Sequence, residues 1–292
     1  MDKKRLLVIG SRGFLGAYSV DAVSDAFQVI RGDRSSTLGP KDSTEIDIVD
    51  ASSVDRAFRH VRPDSVLLLA AMSDIDRCEA SPTEAFAINA RGAENVANAC
   101  ARANARLLFT SSAAVFDGRK HGYTENDETN PLSVYGKTKL WAESAVMTML
   151  PSAVVIRIAL VLGFARRSGT NSMLDSVMRK WKASEPIYFP TWEKRNPIDA
   201  ASLSKLMKEM LTDHAMHGMY HLGASDCVTR YELGKRLAAR AGIAANLVRP
   251  QHDSVPGRAP RGEDHFLLTE KIRAAYKLEM PTSSQVIERC FL

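Results

Sequence analysis

The stretch "IGSRGFLG" (9–16) sets Gly10, Gly13 and Gly16 between an apolar run and a segment with helical spacing. The run itself, "RLLVIG" (5–10), reads as a strand buried on both faces. In that setting Gly10 permits a tight turn, Gly13 lets backbone approach a pyrophosphate, and Gly16 allows close packing of helix on strand. Unpaired N–H groups and the positive dipole end of the helix converge there, which favours bound phosphate. A chain opening this way is restricted to a parallel α/β sheet and reads as a dinucleotide binder. The plain alternative is a turn kept for packing.

The alternation continues. "FQVIRGD" (27–33), "PDSVLLLAA" (63–71) and "AVVIRIALVLG" (153–163) read as strands and "ARLLFTSSAAVF" (105–116) as a strand running into a turn, with helices over 53–61, 82–104 and 133–149. The predicted fold class is α/β, a Rossmann-type doubly wound parallel sheet with a smaller C-terminal substrate-binding region. Past residue 163 the rhythm breaks. Helices are expected near 171–183, 200–213 and 229–241 and a strand at 218–223, around the irregular "EPIYFPTWEKRNPID" and "RPQHDSVPGRAPRGED". The expected dinucleotide-binding domain is 1–163 plus about 197–223; about 164–196 and 224–292 form the substrate-binding region.

Composition narrows the partners. The charge of +5 is scattered over 292 residues, with no basic arm for nucleic acid. Cys78, Cys100, Cys227 and Cys290 form no C-x-x-C pair, which fits a reducing compartment and argues against zinc or a disulfide framework. The histidines lack metal-ligand spacing, so no metal is expected. No apolar run reaches the roughly 18 residues of a membrane span, and a strand from Arg5 leaves no room for a signal peptide. A cytoplasmic protein is expected, with no membrane partner; a homodimer is the assembly allowed for.

At the end of the second strand, Asp33 is placed to accept hydrogen bonds from a ribose 2′-hydroxyl. Arg12 lies within the glycine loop, and Arg31 and Arg34 flank Asp33, which suits a 2′-phosphate instead. Three arginines at one corner favour NADP(H), with NAD(H) as the second candidate. Asp47 either receives the adenine amino group or caps a helix.

"TSSAAVF" ends a strand where open α/β sheets bind ligands, and "VYGKTKLWAE" starts the next helix, so Ser112 and the Tyr135–Lys139 pair converge on one rim. A phenol titrating near about 10 is a poor acid–base catalyst at neutral pH. An ammonium one helical turn away is expected to lower that value. Ser112 would then hold a substrate carbonyl while Tyr135 donates a proton as hydride arrives, with Lys139 also holding the nicotinamide ribose.

"GSRGFLG", "LLLAAMSDIDRCE", "INARGAENVANAC", "LLFTSSAAVFDG", "YTENDETNPLSVYGKTKLWAE" and "IRIALVLG" together resemble the extended short-chain dehydrogenase/reductase family. "RNPIDAASLSK", "GMYHLGASDCVTRYELGKRLA" and "PGRAPRGEDHFLLTEKI" resemble its branch of dTDP-4-dehydrorhamnose reductases and the methionine adenosyltransferase regulatory beta subunit. The likeness spans nearly the whole chain. It implies a catalytic Ser112, Tyr135 and Lys139, cofactor contacts from Phe14, Ala70 and Ala71, and Asn89 near the proton-relay path. Toward the substrate it implies Ser73, Ala113 and, on the diphosphate side, Asn171.

Rhamnose reductases typically carry an aspartate after the catalytic hydroxyl, where this chain has Ala113 and then Ala114. Two alanines supply no acid–base pair for dehydration, which leaves hydride transfer at a sugar ketone. Arg195, Arg258 and Arg261 are candidate ligands for a nucleotide diphosphate, or exposed loop arginines. Trp192 and Tyr188 stack on a ligand or, the favoured reading, pack in a core; His121 is read as a surface histidine. The expected function is an NADP(H)-dependent reductase of a nucleotide-diphosphate 4-keto-6-deoxy-sugar with Tyr135 as proton donor. The alternatives are a nucleotide-sugar 4-epimerase and a non-catalytic dinucleotide-binding regulatory subunit.

Overall fold

Leu7, Ile9, Val66, Leu68, Leu107 and Phe109 pack on one face of a central sheet; Leu6, Val8, Leu67, Leu108 and Ile156 pack on the other. Successive side chains of one strand enter opposite apolar cores, so these runs lack the polar alternation of a solvent-facing strand. The structure, a computed structural model, describes residues 3–35 and 42–292. The strands in chain order are β1 (Arg5–Ile9), β2 (Gln28–Asp33), β3 (Ser43–Glu45), β4 (Ser65–Leu68), β5 (Arg106–Ser112), β6 (Val154–Ile158) and β7 (Leu160–Leu162). Then come β8 (Ile187–Pro190), β9 (Lys194–Arg195), β10 (Pro197–Asp199), β11 (Gly218–Leu222), β12 (Val228–Thr229), β13 (Val248–Gln251) and β14 (Asp264–His265).

Seven strands form one parallel sheet in the order β11–β6–β5–β4–β1–β2–β3. The chain order reverses between β1 and β4, which opens a crevice at their carboxyl ends. The helices are α1 (Phe14–Val23), α2 (Ala51–Val61), α3 (Ile75–Ala80), α4 (Pro82–Phe86), α5 (Gly92–Ala103) and α6 (Val134–Met149). They continue as α7 (Met173–Lys182), α8 (Ala200–Thr212), α9 (Arg230–Arg240), α10 (Glu270–Tyr276) and α11 (Ser283–Cys290). Helices α2, α5 and α6 cover one face of the sheet; α1, α8 and α10 cover the other. None of the helices among the described residues is long and apolar enough to cross a membrane.

Two differences from the sequence expectations shape the site. The helix expected over 82–104 is interrupted by a π-helical turn, Ala87–Arg91, which carries Asn89. The strand expected over 153–163 divides after Ile158, and β7 leaves the main sheet to pair with β10. The segment 105–116 runs into a turn as expected, its strand ending at Ser112 before Ala113–Val115. The short β3, α3, α10 and α11 carried no clear sequence signal. A separate core of Leu162, Leu174, Trp181, Phe189, Leu233 and Val286 holds the C-terminal elements together.

Candidate active site

Gly10 ends β1 with φ of +88°, and a Cβ there would lie 2.7 Å from the Ala70 nitrogen. Glycine alone gives both the left-handed turn and the close approach of β1 to β4. A cavity of about 470 Å³ opens above, lined by Gly10, Gly13, Asp33, Arg34, Asp47, Ala70 and Ala71. The Asp33 carboxylate already accepts from the Ser11 hydroxyl at 2.5 Å and the Arg12 N–H at 3.1 Å, bracing the glycine loop. The Arg12 guanidinium donates to the Ser35 carbonyl at 3.3 Å. Arg31 is half-buried and outside the cavity lining, its Nε without a hydrogen-bond partner among the described residues, whereas Arg34 is exposed at the rim. Asp47 accepts from the Val49 N–H at 3.0 Å; the residue that caps α2 is Asp50, through the Ser52 N–H.

A second cavity of about 750 Å³ adjoins the first. Arg12, Phe14, Gly16, Ala71, Ser73, Ser112, Tyr135, Lys139 and Asn171 all line it. Ser133 starts α6 by accepting the Gly136 N–H at 3.1 Å. A Cβ on Gly136 would fall 2.2 Å from the Ala114 carbonyl, so glycine lets the first turn of α6 rest on the end of β5. This contact brings Tyr135 to Ser112. Asn89 is fully buried: its Oδ1 accepts from Met72 N–H at 2.7 Å, and its Nδ2 donates to Met72 O at 3.0 Å and Thr138 Oγ1 at 3.1 Å. It ties the segment after β4 to α6 and lines neither cavity.

The electrostatics differ from expectation. Burial pushes the Tyr135 phenol up to about 12, against the Ser112 hydroxyl, which favours the phenolate. Burial pushes Lys139 down to about 8, while the Glu143 carboxylate opposes the fall. Desolvation, not the neighbouring ammonium, is the dominant influence on the phenol, opposite in direction to the lowering expected.

Toward the C-terminal region, Ser112 and Arg195 share a small cavity of about 60 Å³ with Arg261 and His265. Arg195 spends its guanidinium on the carbonyls of Lys194, Gly262 and Glu263 and on Glu193, holding a loop in place. Asp76 at the start of α3 pairs with Arg261 at 2.9 Å and Arg258 at 3.8 Å, tying the same loop to α3. Ala113 is buried among Val115, Phe116 and Leu267, and Ala114 lines the small cavity instead. Trp192 borders an outer cleft of about 660 Å³. Tyr188 is 62% exposed, which overturns core packing for that ring, since Phe189 is the residue of β8 that points inward. His121 is exposed and sits 2.7 Å from Asp264. His265 is held neutral by burial, pushed down to about 3, and its Nε2 donates to the Phe116 carbonyl. Sequence reasoning passed over Arg230, whose Nη2 lies 3.1 Å from the Met173 sulfur beside Asn171; a lone arginine after a helix cap carries no signal.

A doubly wound sheet with a glycine loop, and a serine, tyrosine and lysine on one cavity wall, define the class of dinucleotide-dependent oxidoreductases. More narrowly, the chain belongs to the RmlD substrate binding domain family, which matches residues 4–291. It is 31% identical over 267 residues to a dTDP-4-dehydrorhamnose reductase of Mycobacterium tuberculosis, covering 88% of this chain and 83% of that one. It is 29% identical over 265 residues to methionine adenosyltransferase 2 subunit beta of Xenopus tropicalis, covering 88% and 78%. Among solved structures, dTDP-4-dehydrorhamnose reductase of Bacillus anthracis in complex with NADP superimposes with a TM-score of 0.90 at 25% identity, covering 99% of each chain.

Proposed function

We propose that the protein reduces the ketone of a nucleotide-diphosphate 4-keto-6-deoxy-sugar at the expense of NADPH. The observation that carries this reading is the convergence of Ser112, Tyr135, Lys139 and Asn171 on one cavity continuous with the glycine loop. The residues present fit a dinucleotide: Gly10 and Gly13 line the cavity at the end of β1 without side chains to obstruct it, and Arg34 stands at the rim where a 2′-phosphate would meet it. When bound, the nicotinamide supplies the hydride. Ser112 orients the carbonyl oxygen, Tyr135 delivers the proton, and the Lys139 ammonium holds the ribose. Similarity to the Bacillus anthracis reductase, itself in complex with NADP, supports the choice of cofactor.

Burial holds the Tyr135 phenol in its neutral form, the form that would deliver the proton. NADPH absorbance followed against a panel of nucleotide 4-keto sugars tests this, with product analysis. We expect consumption by the wild type and its loss, with cofactor binding intact, in Tyr135→Phe; undiminished turnover in that variant would refute the assignment.

The similarity to methionine adenosyltransferase 2 subunit beta, at nearly equal identity, motivates a second reading as a regulatory subunit. NADPH left unoxidised by every sugar, together with recovery of a methionine adenosyltransferase in a pull-down, would favour it.

A further inference from the structure

One helical turn beyond Lys139, Glu143 is fully buried. Arg157 of β6 donates to it twice, from Nε to Oε1 at 2.9 Å and from Nη2 to Oε2 at 2.7 Å. The Ser111 hydroxyl donates to the same Oε1 at 2.5 Å. Arg157 is itself only 3% exposed, with its guanidinium 5.0 Å above the Phe116 ring. Removing both charges from water is costly, and apolar residues of similar volume often stabilise as well or better. Stability is therefore a weak reason for the pair to lie here.

Its connections suggest another. Ser111 immediately precedes Ser112 at the end of β5, and Glu143 follows Tyr135 and Lys139 at successive four-residue steps along one face of α6. The carboxylate thus joins the two elements that carry all three candidate reacting groups. The surroundings of Lys139 are otherwise poor in negative charge. They comprise Tyr135 and Glu143 on its own helix, Cys78 of α3 with its thiol pushed up by burial, and the Phe109 ring of β5 4.6 Å from Nζ.

We propose that Glu143 is a positioning residue: gripped by Arg157 and Ser111, it fixes the Ser112 strand end against the Tyr135–Lys139 face and presents its negative charge to the Lys139 amine. The proposal rests on the reading of those three residues as the reacting set.

Glu143→Gln and Ser111→Ala separate the two halves of the role. Three readouts apply: Lys139 ionisation by NMR of lysine-labelled protein, the pH profile of NADPH oxidation, and thermal unfolding. Removing a facing negative charge favours the neutral amine, so in Glu143→Gln the Lys139 titration should fall by about one pH unit. The alkaline loss of turnover should move with it, kcat dropping at neutral pH. Ser111→Ala keeps the carboxylate; kcat should fall about tenfold with the titration unmoved. Variants that lose only melting temperature, with titration and kcat unchanged, would overturn the proposal. If Glu143→Gln does not fold, Ser111→Ala decides alone, and an unchanged kcat there is likewise fatal. A displaced Lys139 titration alongside an active Tyr135→Phe would instead overturn the catalytic reading and leave the link between Glu143 and Lys139 standing.

Discussion

Tyr135 and Lys139 stand one helical turn apart, and that spacing was legible in the sequence. What the spacing cannot carry is burial, which moves both groups toward their neutral forms and reverses the expected effect on the phenol. A lysine pushed down to about 8 loses its proton within the ordinary assay range. Turnover in the reductive direction should therefore fall as pH rises through about 8; a rate flat from pH 7 to 10 would show that the ammonium is not required. Asp33 offers a similar lesson, since its position was legible but its partners, Ser11 and the Arg12 N–H, depend on how the loop closes. As a loop brace, Asp33→Asn should weaken NADPH and NADH alike. Arg34→Ala should weaken NADPH alone, by about tenfold, the loss of one charge-assisted hydrogen bond. Comparing dissociation constants for both cofactors in both variants checks this, and selective loss of NADH in Asp33→Asn would restore the ribose-acceptor role.

Helix α6 is placed by its contact with the end of β5, and Gly136 makes that contact. Gly136→Ala drives a Cβ into the Ala114 carbonyl, so overpacking should cost about 1–3 kcal/mol of unfolding free energy and displace Tyr135 from Ser112. Denaturant melts and kcat measure the two effects; an unaltered kcat would mean that the helix start does not set the reacting geometry. The loop around Arg258–Arg261 depends on Asp76 of α3. Asp76→Ala should raise KM for the nucleotide sugar while changing stability by no more than about 1 kcal/mol, because these ion pairs are partly exposed. Apart from β3 and α3, the repeating strands and helices up to Ile158 were legible because the strands are apolar enough to be buried on both faces and the helices between them keep their spacing. The π turn at Asn89 and the short C-terminal strands were not. They are held by side-chain hydrogen bonds and pairings between distant segments, such as β9 with β12 and β14, which no local pattern announces.

Across the whole molecule, the parallel sheet and the C-terminal segments meet around two buried neutral histidines. His221 of β11 and His265 of β14 are both pushed down to about 3 by burial, from 6.5. Between those values the unfolded chain binds more protons than the folded one, so stability rises with pH across the window and is lost on acidification. At pH 5 each histidine should cost about 2 kcal/mol relative to pH 8. Melting temperatures recorded from pH 8 to 4 should fall accordingly, less steeply in His221→Asn if that variant folds; a flat profile would contradict the assignment of neutral buried rings. The central claim is that this architecture brings a ketone carbon and a phenolic proton together beside the nicotinamide. It is tested most directly by supplying NADPH deuterated at the transferable position with a nucleotide 4-keto-6-deoxy-sugar, and reading the label in the product by mass spectrometry. One deuterium on the former ketone carbon, with none transferred by Tyr135→Phe, is the predicted result; unlabelled sugar, or equal labelling by the variant, would contradict it.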